Sequence, residues 1–219
     1  STLEPPKSRK EVKQLGPREV VVRVPAEVPY LLMGFPAPTV VTATEAWEPY
    51  ALEVLAYVLD GGDSSRMSKR LVRGSQIAAS AGVGYDPYDR LQTLFLLDGV
   101  PAEGHTIAEV KAALLAQLEE IQQAPVTQSE LDRVKAQVVA GKVFERDSVF
   151  YQAMQIGTLE TIGLEWQEMD RYAENIRKVT AEQVQAVAKK YIDPNKLTTA
   201  ILEPQKIATA TQKEKHNAH

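Results

Sequence analysis

Valine and aromatic residues crowd two short runs near the start of the chain, residues 18–24 (REVVVRV) and 30–35 (YLLMGF), set apart by Pro25 and Pro29. This pattern predicts two strands. The period then lengthens. Trp47, Ala51, Val54, Leu55 and Val58 fall on one helical face, predicting a helix over residues 49–60 with Pro49 in its first turn, where a missing N–H is harmless. Gly61 and Gly62 end it. A second, short helix starts at once, with Asp63 or Ser64 as its cap and Met67 and Leu71 on its inner face. Alternation returns in Ile77, Ala79, Ala81, Val83 and Tyr85 and, after the turn DPYD, in Leu91, Thr93, Phe95 and Leu97. These predict an antiparallel strand pair, and the small, mostly alanine face of its first member admits close packing.

Three later helices start in one way. Thr106–Glu109, Thr127–Glu130 and Thr180–Gln183 each match the capping box, in which a threonine and the residue three later satisfy each other's N–H groups. Val126 with Leu131 and Val179 with Val184 add hydrophobic staples, and residues 151–177 read as two helices broken near Gly163. Residues 197–202 form a closing strand. Strands in pairs and helices in groups indicate an α+β fold, an antiparallel or mixed sheet covered on one face by several helices. Residues 1–17 read as a linker-like segment, 18–204 as one domain, and 205–219 as a polar tail expected to be disordered.

Composition narrows the function classes. The 219 residues carry a net charge of -4, which leaves no electrostatic footprint for nucleic acid. There is no cysteine, so disulfides, thiolate metal sites and thiol nucleophiles are excluded. No apolar run reaches the roughly 18 residues that would insert in a membrane. The polar start without Met reads as a piece of a longer polypeptide, leaving the compartment open; in a bacterium, a periplasmic or otherwise exported location fits.

The search for chemistry finds little. His105 stands in a turn before a helix and reads as a solvated residue; His216 and His219 lie in a segment with no apolar face to fix them. The two zincin spacings, H-x-x-E-H and H-E-x-x-H, are absent, as are G-x-S-x-G and the glycine-rich phosphate loops. Ser64 and Ser65 read as capping residues. The residues themselves point to no catalytic group and no metal ligand.

Four blocks together resemble a known family. LDGGDSSRMSKRLVRG is similar to the joint that reads roughly L-G-G-G-x-S-S-R-L-F-x-E-L-R-E in the pitrilysin/insulin-degrading-enzyme (inverzincin) zinc metallopeptidases, which include mitochondrial processing peptidase-like proteins. SELDRVKAQVVAGKVFERDS resembles a later helix of the family, VTAEQVQAVAKKYIDPNKLTTAILEP its closing helix and strand, and VVVRVPAEVPYLLMGFPAP the opening strands of its C-terminal half. The resemblance runs from about residue 18 to 204 in the right order. It implies one half of a clamshell around a peptide cleft, the C-terminal, non-catalytic half, inactive by itself. Zinc and peptide cleavage would then belong to a zinc-bearing N-terminal half or partner subunit, with a peptide as substrate and a homodimer as a further possibility. A structural scaffold or peptide-binding module without proteolysis, like the core subunits of respiratory complexes, is the alternative. The family's non-catalytic half carries an Arg–Tyr pair toward substrate; the aligned positions here are Val72 and Ala79, and the nearby candidates for the substrate cleft are Arg73, Arg66 and Tyr85.

Overall fold

The computed structural model describes residue 12 and residues 14–145 and 148–206. Most of the linker-like start, and His216 and His219 in the tail, lie outside these residues. The elements follow as β1 (Arg18–Pro25), β2 (Tyr30–Ala37), α1 (Glu48–Asp60), a single π-helical turn (Ser68–Val72), β3 (Ala78–Gly84), β4 (Thr93–Pro101), α2 (Ile107–Gln123), α3 (Gln128–Glu145), α4 (Val149–Ile162), α5 (Glu168–Lys178), α6 (Ala181–Tyr191) and β5 (Thr198–Gln205). The strands form one mixed sheet in the order β1-β5-β2-β4-β3. β1 runs parallel to β5, and the other neighbours are antiparallel. The closing strand thus inserts between the two opening strands. It runs on to Gln205, which pairs with Pro25, into the stretch expected to be tail.

The two faces of the sheet differ. Leu31, Met33, Phe35, Phe95 and Leu97 point one way and are fully buried. On the same side, a Cβ at Gly99 would lie 2.7 Å from Val110 Cγ1 and 3.5 Å from Leu114 Cδ1 of α2. Helices α1, α2 and α6 pack on this face, and α3 and α5 pack outside α1. The opposite face carries Val20, Val22, Val24, Tyr30 and Leu94, all exposed. Leu94 and Leu96 flank Gly34 there, close to where its Cβ would stand. Among the described residues no helix packs on this apolar face.

The close approach of α2 makes Gly99 a tight position. Gly99→Ala is expected to cost about 1–3 kcal/mol through overpacking, read as a lower urea midpoint with an unchanged m value. An unchanged midpoint would mean that α2 moves aside freely.

Two of the three predicted capping boxes form in full, at Thr106–Glu109 and Thr180–Gln183. At the third, Thr127 Oγ1 accepts from the Glu130 N–H at 3.2 Å. The Glu130 carboxylate leaves the box and takes a guanidinium, because Arg66 Nε and Nη2 reach its two oxygens at 2.9 and 2.7 Å. A two-pronged charged partner outcompetes a single backbone N–H. Gly163 closes α4 in the left-handed conformation, φ 88°, as the predicted break requires.

Candidate functional site

The joint between α1 and β3 departs from a simple second helix. Its cap is Ser65, not Asp63 or Ser64: the fully buried Ser65 hydroxyl accepts from the Ser68 N–H at 3.4 Å. The chain then widens into a π turn, with Arg73 N donating to Ser68 O at 3.0 Å and Ser75 N to Arg70 O at 2.8 Å. Gly74 permits this exit, since a Cβ there would sit 2.8 Å from Arg70 O. Met67 and Leu71 are buried on the inner side as expected.

Basic side chains strap the joint to the helical layer. Arg66 pairs with Glu130 on α3 and approaches Glu120 of α2 at 3.7 Å. Arg70 bonds Gln117 Oε1 at 2.9 Å and also Glu120. Arg66 lowers the Glu130 carboxyl pKa below its ordinary value, outweighing burial, and the guanidinium is raised in return.

The three cleft candidates stand apart. Arg66 is inside this ion network with its side chain 13% exposed. Arg73 lies on the surface after the π turn and donates to Asp63 O. Tyr85 donates to Pro38 O at 2.6 Å and rests against Phe95. By contrast, Val72 and Ala79 do meet. Both line a shallow notch of about 450 Å³ with Gln76, Glu103 and the half-buried His105. Ala79 lies where β3 breaks register between Ala78 and Ser80, and Gln76 adopts a positive φ of 55° just before it. The predicted alternation put Ala79 on the same face as Ala81; the bulge turns it out into the notch.

A larger cavity of about 660 Å³ opens between α1, α3, α4 and α5. Five tyrosines line it, Tyr57, Tyr85, Tyr88, Tyr151 and Tyr172, with the buried Glu53. Burial pushes the Tyr85, Tyr88 and Tyr172 hydroxyls far above their ordinary value, so they stay neutral, Tyr85 donating to Pro38 O and Tyr172 to Glu53. No periodicity signals this gathering, because the tyrosines come from four separate stretches of the chain, Tyr85 and Tyr88 sharing one. Among the described residues, no group of three or more His, Asp or Glu side chains is placed to hold a metal ion. No helix among them is long and apolar enough to cross a membrane. In the notch the Ser75 hydroxyl donates to Arg70 O at 3.0 Å, and in the larger cavity the Tyr172 hydroxyl donates to Glu53.

Comparison with known proteins finds the same fold. A protease from Helicobacter pylori superposes with a TM-score of 0.81 at 22% identity, over 91% of this chain and 47% of that one. The inactive peptidase domain from Bordetella parapertussis gives 0.73 at 16% identity, over 87% and 98%. A chain of complex III from Candida albicans gives 0.71 at 16% identity, over 86% and 46%. This chain therefore spans about half the length of the first and third. A search of curated proteins finds no match. The family model described as the peptidase M16 inactive domain matches residues 2–138. The chain belongs to the peptidase M16 family, as its inactive domain.

Proposed function

We propose that this chain is the non-catalytic half of a zinc metalloendopeptidase, closing a peptide-binding cleft opposite a zinc-bearing domain or subunit. The observation that carries the reading is the apolar sheet face that no described helix covers, bearing Val22 and Leu94 at 44% and 47% exposure. Exposed apolar area of this kind on a folded domain marks a surface used for binding. Strands facing a cleft can also hold an extended peptide through its backbone. We assign the zinc and its water-activating base to the other half: neither zincin spacing occurs in the sequence, and no cluster among the described residues is placed to hold a metal. What this half supplies is a wall that excludes water and limits how a peptide can lie. Arg73, exposed beside the Val72 notch, is the candidate we assign to substrate contact.

The test uses the chain joined to its zinc-bearing half and a quenched peptide. Leu94→Lys and Val22→Lys are expected to lower kcat/KM about tenfold with the melting curve unchanged, and Arg73→Ala to weaken turnover in the same assay. The isolated chain is expected to cleave nothing. Full activity in both lysine variants would remove the sheet face from the cleft. The scaffold alternative draws support from the complex III relative. It predicts an assembled protein that binds its partners and hydrolyses no peptide.

A further inference from the structure

The sheet has two edges, and they are treated differently. At the β3 edge, Asp60 Oδ2 accepts from the Val83 backbone N–H at 3.1 Å, so a side chain occupies the strand. β1 forms the other edge, and all eight of its residues are exposed. Its backbone polarity follows from two bonds: Arg18 N donates to Leu197 O at 2.9 Å and Ala26 N to Gln205 O at 3.4 Å. Even-numbered residues therefore turn their N–H and C=O toward β5. Glu19, Val21 and Arg23 turn theirs toward the open edge, since successive residues of a strand alternate. An exposed valine-rich edge is a template for another strand.

From this we infer that β1 pairs antiparallel with β1 of a second copy of this chain, about a twofold axis through Val21. Only outward-facing residues can exchange ladder hydrogen bonds across such an axis. The register centred on Val21 uses all three: Val21 faces its own copy, and Glu19 faces the partner copy's Arg23 twice. Moving the centre one residue toward Glu19 loses a pair. Moving it toward Arg23 brings in Pro25, which has no N–H to give.

The charges fit the same register. Within one chain, Lys111 of α2 holds Glu19 at 3.1 Å and Glu203 of β5 holds Arg23 at 2.7 Å. Pairing across the axis lines up lysine, glutamate, arginine and glutamate in alternating sign, once on each side. Opposite charges directly across a strand pair are favourable, whereas a parallel or shifted pairing would break the alternation. Val20 and Val22 meet their counterparts on the other face, so the bare apolar surface continues across the axis as one ten-stranded sheet. A seam of one strand per copy is a small interface, and its affinity belongs to the weak, micromolar class.

Because the chain has no cysteine, single introduced cysteines report the register directly. Val21→Cys is expected to form a disulfide-linked dimer under mild oxidation, since facing residues stand about 5.5 Å apart at Cα. Val20→Cys and Val22→Cys, each alone, should link at least about tenfold more slowly, and a mixture of the two should recover the rate. Sedimentation of the unmodified chain should show association toward twice 24.2 kDa as concentration rises. Val21→Pro removes an N–H that turns away from β5 toward the open edge, and should give a monomer with an unchanged melting curve. A mass of 24.2 kDa at every concentration, a dimer that survives Val21→Pro, or Val20→Cys linking as fast as Val21→Cys would each overturn the inference.

Discussion

Replacing Arg66 by alanine is expected to destabilise the folded chain by about 3 kcal/mol, well beyond the value of an ordinary surface ion pair. The side chains of Arg66 and Glu130 are only 13% and 18% exposed, and the guanidinium engages both carboxylate oxygens. Removing it leaves a half-desolvated carboxylate that has lost two N–H donors. It also cuts the tie between the joint and α3. Glu130→Gln, which keeps the shape and one acceptor, should cost about half as much. The pH dependence separates charge from packing. The Arg66 hydrogen bonds hold the folded Glu130 pKa below its unfolded value, against the opposing effect of burial. The pair therefore contributes stability above the ordinary carboxylate range, near 4, and loses it as pH falls through and below that range. In urea unfolding, the gap between the unmodified chain and Arg66→Ala should be widest near neutrality and narrow in acid. A gap that stays constant down to the acid limit would show that Arg66 acts through its methylenes instead.

The same residue shows where sequence reading stops. The period of the apolar positions places the strands and most of the helices, because burial on one face imposes period two or three to four whatever the neighbours are. Thr127 and Glu130 have the right spacing for a capping box, and local chemistry can say no more than that. The competing partner, Arg66, is 64 residues away in sequence and becomes a neighbour only once α1 and α3 pack. Nor does composition announce the π turn at Ser68–Val72: its extra residue is accommodated by Gly74 and by the buried Ser65 cap, both of which look like ordinary turn chemistry. The alternation through Ile77 to Tyr85 misleads at one position for a related reason, since the bulge at Ala79 depends on the pairing with Val100 and Pro101. The insertion of β5 between β1 and β2 is likewise a tertiary choice. Motif spacing identifies the family here more readily than local chemistry identifies its contacts.

Tyr172→Ala carries the larger expected loss, about 4 kcal/mol, or roughly 10 °C in melting temperature for a chain of this size. Tyr172 of α5 is 4% exposed, and its hydroxyl donates to the carboxylate of Glu53 on α1, itself 7% exposed. Its ring stands edge-on to Tyr50 at 6.2 Å and tilted to Tyr88 at 6.3 Å, and Lys142 Nζ lies 5.6 Å above it. One side chain thus combines ring packing, a cation–π contact and a hydrogen bond to a buried charge. Tyr172→Phe isolates the last of these and should cost about 2 kcal/mol, the loss of a donor to a buried carboxylate. The hydroxyl keeps its proton throughout the physiological range, because burial first and the Glu53 charge next push its pKa far up. The difference between the parent and the Phe variant should therefore not change between pH 6 and 9. A phenylalanine variant as stable as the parent would mean that Glu53 is fully satisfied by its other neighbours. Equal losses in both variants would place the whole contribution in the hydroxyl and none in the rings. Since Tyr172 and Glu53 also line the 660 Å³ cavity, the Phe variant should hold its shape while the Ala variant enlarges it. This bond, linking an outer helix to the innermost one, keeps α5 seated on the core that supports the sheet.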